Sequence, residues 1–92
     1  MESFNKEISR LINKLQQGYL VEFVNNQNQS IGMVATGEES YRLFGIDFQI
    51  NSQAEARAFL AGSVLNNDKI YIHTKEEALE RARKGFFLNK LE

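Results

Sequence analysis

The chain has 92 residues, 42% of them hydrophobic, and a formal net charge of -1 with no cysteine. That size gives one domain, spanning 1–92, near the lower limit for a self-sufficient core, and the apolar content excludes a disordered chain. Disulfides, thiol nucleophiles and cysteine-based metal sites are excluded, and near-neutrality gives no long-range pull toward nucleic acid or anionic lipid.

The start of the chain is charged and amphipathic rather than signal-like, and no apolar run approaches the ~20 residues of a membrane span. A cytoplasmic protein with no membrane partner is the expectation. Residues 3–17 read as a helix, because Phe4, Ile8, Leu11, Ile12 and Leu15 share one stripe. Ser3 is placed as its N-cap and Gly18 as its left-handed C-terminal cap. Lys6, Arg10 and Lys14 form a second, basic stripe. It reads either as an anion-binding face or as the solvated back of an amphipathic helix, and near-neutral charge favours the second.

Residues 19–24 and 30–36 are strand-like, and the polar run Asn25-Asn26-Gln27-Asn28-Gln29 joins them into a hairpin. Residues 41–50 read as one long strand. Phe44, Ile46, Phe48 and Ile50 fall on its apolar parity, opposite Gly45, Asp47 and Gln49. Gly32, Gly37 and Gly45 are isolated, as in turns or bulges, and form no phosphate loop.

Ser52 with Glu55, and Thr74 with Glu77, each begin a helix with a capping box. The helix from Gln53 carries two apolar stripes, Ala56, Phe59, Leu60 and Val64 on one and Ala54, Ala58, Ala61 and Leu65 on the other. Gly62 offers a possible stop. Residues 69–73 form a further strand. If it neighbours the strand over 41–50, a right-handed crossover joins them. The last helix covers 75–84, with Glu77–Arg81 and Glu80–Lys84 in favourable i,i+4 order. It is followed by an apolar tail containing Phe86, Phe87, Leu88 and Leu91.

The expected fold is therefore α+β, a four-stranded, mainly antiparallel sheet with helices mostly on one face, in the order α-β-β-β-α-β-α. No motif is long or rare enough to name a family. No cofactor or metal is implied, since His73 is the single histidine.

Three functions follow from the residues. The first is a non-enzymatic adaptor, inhibitor or regulator, working on a protein partner or as a homodimer through Ala54, Ala58, Ala61, Leu65, Phe86, Phe87 and Leu91. The second is nucleic-acid binding through Arg81, Arg83 and Lys84, opposed by the interleaved Glu76, Glu77 and Glu80. The third is a small-ligand or hydrolytic site on the open sheet face, formed by Asp47, Gln49, Tyr71 and His73. The bland alternative there is an ordinary solvated face. No nucleophile elbow or fixed carboxylate pair supports an enzyme.

Overall fold

The structure, a computed structural model, describes residues 2–46 and 48–84. Its elements are α1 (Glu2–Gln16), β1 (Leu20–Val24), β2 (Ser30–Ala35), β3 (Tyr41–Phe44), β4 (Phe48–Ile50), α2 (Gln53–Leu65), β5 (Lys69–His73) and α3 (Lys75–Arg83). All strand pairings are antiparallel, in the order β4-β3-β2-β1-β5. The α+β expectation holds, but the sheet has five strands rather than four, and the element order is α-β-β-β-β-α-β-α.

The fifth strand comes from a break in the segment over 41–50. Gly45 takes φ +103°, a region that L side chains rarely adopt, and a Cβ there would stand 2.6 Å from the Ser30 carbonyl oxygen. The chain turns at Gly45 and Ile46 and returns as β4, pairing Leu43 with Phe48 and Tyr41 with Ile50. The alternation expected across Phe44, Ile46, Phe48 and Ile50 therefore does not lie on one face. Phe44 packs with Leu20 and Ala78, Ile50 joins the main core, and Ile46 and Phe48 are exposed.

The main core lies between the sheet and the first two helices. Ile8, Leu11 and Leu15 of α1 and Ala56 and Leu60 of α2 meet Val21, Phe23, Met33, Tyr41, Leu43 and Ile50. Phe59 adds an edge-on contact with Phe23, ring centroids 5.5 Å apart. Residues of the opposite parity, Leu20, Val34 and Phe44, form a smaller cluster with Ala78 of α3. Two helices thus cover one face and the third packs on the other.

Helix boundaries follow local chemistry. Gly18 (φ +98°) ends α1 in a Schellman motif, with Tyr19 N–H donating to Lys14 O and Gly18 N–H to Leu15 O. Ser3 lies inside α1 rather than at its N-cap. Both later helices start at the expected caps, with the full box at Thr74 and only its first half at Ser52. Glu55 N–H donates to Ser52 Oγ, and Glu77 N–H to Thr74 Oγ1, while Thr74 N–H donates back to Glu77 Oε1. At Ser52 the Glu55 carboxylate meets the hydroxyl itself, at 3.2 Å. Gly62 does not stop α2, which continues to Leu65 and is closed by Asn66 N–H on the Gly62 and Val64 carbonyls. Gly32 is no turn either, but a buried position within β2.

The length of α2 explains where β5 goes. Its 13 residues rise ~20 Å at ~1.5 Å each. Crossing from β4 to β5 covers four strand spacings, ~19 Å at ~4.8 Å each. The helix therefore carries the chain from one edge of the sheet to the other, and β5 pairs with β1. β4 and β5 are opposite edges, not neighbours.

Candidate functional site

The face of the sheet away from α1 and α2 gathers the polar residues of β1 and β5. Strand alternation places Leu20 and Glu22 there from β1, and Lys69, Tyr71 and His73 from β5. The register sets Glu22 opposite Tyr71 and Leu20 opposite His73. Glu22 and His73 are thus diagonal neighbours, and His73 Nε2 lies 2.8 Å from Glu22 Oε1.

Glu22 is fully buried and His73 is half-buried. One proton is shared in this contact, either on Nε2 or on the carboxyl, and Nδ1 is the ring nitrogen directed elsewhere. The Tyr71 ring, itself exposed, stacks on the imidazole at 6.2 Å with 24° between planes. The contact and the stacked ring hold the imidazole in one orientation. Among the described residues no serine or threonine hydroxyl is bonded to His73.

Glu22 is the residue that sequence reasoning missed. Its signal was present: a carboxylate inside the apolar strand Leu20–Val24, on the parity of Leu20 rather than of Val21 and Phe23. A charge in such a position is buried only with a partner. Identifying His73 as that partner needed the β1–β5 pairing.

A cavity of about 280 Å³ lies where α3 meets the same face of the sheet. Leu20, Val34 and Phe44 form its floor, Ala78 and Leu79 its wall, and Lys75 its mouth. A second, polar cavity of about 260 Å³ contains Gln17, Tyr19, Thr74 and Lys75. Gly18 and Lys75 line both. Lys14 sits over the Tyr19 ring, 5.0 Å from its centroid. Next to His73, the Thr74 N–H donated to Glu77 holds that carboxyl below its ordinary value of 4.5. Desolvation opposes this as the next largest influence, and the Thr74 hydroxyl and the nearby His73 add smaller effects in the lowering direction.

The residues singled out in the sequence are dispersed. Gln49 lies on β4, at the opposite edge from Tyr71 and His73, where it donates to Asn51. Asp47 falls outside the described residues. On α2, Ala61 packs against the main core, while Ala54, Ala58 and Leu65 are exposed, Leu65 at 71%. Phe86, Phe87, Leu88 and Leu91 lie outside the described residues, as does the side chain of Arg81. Arg83 and Lys84 both face Glu80, at 3.5 and 4.0 Å, so local carboxylate offsets their charge. The basic stripe Lys6, Arg10 and Lys14 shares one open, shallow face of α1, where Arg10 is paired with Glu7.

Among the described residues no group of three or more His, Cys, Asp and Glu side chains could hold a metal, and no helix is long and apolar enough to cross a membrane. No protein-family model, no curated protein and no solved structure matches the chain.

Proposed function

We propose that this chain is a small binding module that acts through protein contacts at the β3–β4 end of its sheet. The reading is supported above all by Ile46 and Phe48, which are 40% and 49% exposed on the same hairpin. Both belong to the connection and the outermost strand, and among the described residues no strand pairs with the outer side of β4. Large apolar side chains grouped at a sheet edge are the type of surface that a partner covers. A three-residue strand is too short to support a long β-ladder, so side-chain contact from the partner supplies most of the affinity.

The exposed side of α2, with Ala54, Ala58 and Leu65, is the other surface that fits this reading. Alanines offer little area, and α1 already covers the neighbouring stripe, so the hairpin carries the stronger argument.

The test is native mass spectrometry and size exclusion of protein isolated from its own cells, comparing wild type with Ile46→Ser/Phe48→Ser and with Ala58→Glu. The expected result is a stoichiometric protein partner, or a dimer, that is lost in the hairpin variant while thermal unfolding stays within a few degrees of wild type. Retention of the same partner or mass by the hairpin variant would overturn the reading. A partner lost only in Ala58→Glu would move the contact surface to α2.

A further inference from the structure

We propose that the trough formed by the two adjoining cavities between Gly18, the sheet and α3 is a binding site for a small amphipathic carboxylate. The apolar body would lie over Leu20, Val34 and Phe44, and the carboxylate would meet Lys75. This site is separate from the β3–β4 surface and stands whether or not that surface binds a protein.

Four observations converge on this chemistry. The inner cavity is apolar on its floor and wall, and its volume of about 280 Å³ lies just under the ~300 Å³ where small-molecule sites begin. That suits a ring or a medium-length alkyl chain rather than a nucleotide. The outer cavity is polar, lined by Gln17, Tyr19 and Thr74. Gly18 lines both, and nothing stands within 4 Å of where a Cβ would be, so no side chain fills the space beside it.

The fourth observation is charge. Among the described residues Lys75 is the one charged residue lining either cavity, and no carboxylate among them does so. Among the described residues Lys75 has no carboxylate partner. It also begins α3, where the helix dipole disfavours a cation, so the helix itself gains nothing from it. The neighbouring acid that could neutralise it, Glu77, is turned onto the Thr74 N–H. Lys14, held over Tyr19, adds a second positive charge at the polar end. An ammonium at the mouth of an apolar cavity selects a ligand with one anionic end and a greasy remainder.

The experiment is a titration of the full chain with sodium octanoate, followed by amide chemical shifts and calorimetry, with octan-1-ol as the uncharged probe. Saturable shifts centred on Gly18, Lys75 and Ala78 are expected, with octan-1-ol bound at least about tenfold more weakly. Lys75→Gln should weaken octanoate by about tenfold and leave octan-1-ol unchanged. Leu79→Glu places a carboxylate in the cavity wall, on a side chain already 37% exposed. It should abolish octanoate binding while the melting curve shows the fold intact. No saturable shifts at millimolar octanoate, shifts centred elsewhere, equal binding of both probes, or an unaffected Lys75→Gln would each overturn the proposal.

Discussion

His73 Nε2 lies 2.8 Å from Oε1 of the fully buried Glu22, a contact between residues 51 positions apart in the chain. A carboxylate taken wholly out of water depends on its hydrogen bonds, so removing His73 costs more than an average surface contact. His73→Ala is expected to destabilise the fold by about 1–3 kcal/mol in chemical denaturation. Combining it with Glu22→Leu should recover part of that loss, because the second change removes the buried carboxyl group itself. Additive losses in the double variant would mean that the two residues are not coupled.

Two glycines give opposite expectations. Gly45→Ala puts a Cβ 2.6 Å from the Ser30 carbonyl oxygen, at φ +103°, and both the clash and the backbone angle oppose it. A loss of about 2 kcal/mol or more is expected. Gly62 lies within α2 with nothing within 4 Å of its Cβ position. Gly62→Ala should therefore stabilise by about 0.5–1 kcal/mol, through helix propensity alone. Urea midpoints of the two variants check both signs.

Tyr41 is fully buried, and its hydroxyl accepts from Gln16 Nε2 at 2.8 Å and donates to Gln53 Oε1 at 2.9 Å. Gln16 and Gln53 also donate to the Glu38 carbonyl, so one hydroxyl ties both helices to the turn before β3. Tyr41→Phe keeps the ring packing and removes only these bonds. It should cost about 1 kcal/mol, with faster hydrogen exchange at the amides of the 37–40 turn.

The carboxyl of Glu77 is held below its ordinary value of 4.5, first by the Thr74 N–H. A depressed carboxyl pKa means that the ionised form is the one favoured by folding. Its contribution is therefore complete above about 4.5 and is lost as pH falls through the lower folded value. Glu77→Gln should flatten that acid-side decline. NMR titration of the Glu77 side chain, with melting curves of both proteins between neutral and acidic pH, would measure it; parallel curves throughout would contradict the assignment.

Local chemistry was legible in the chain itself. The stripe Ile8, Leu11 and Leu15 specified α1, Gly18 its end, and Ser52 and Thr74 the starts of the other two helices. Each of these features is decided by neighbours within four residues. The alternation from Phe44 to Ile50 was misleading for a physical reason. A period of two is the same whether a strand runs straight or folds back, and only the approach of Gly45 to the Ser30 backbone shows that it turns. Tertiary structure alone decided that α2 spans the sheet, that β5 pairs with β1 rather than with the strand preceding α2, and that α3 packs on the opposite face. Those long-range pairings bring Glu22 to His73 and Gly18 to Lys75. Such contacts depend on strand order, which no local pattern encodes.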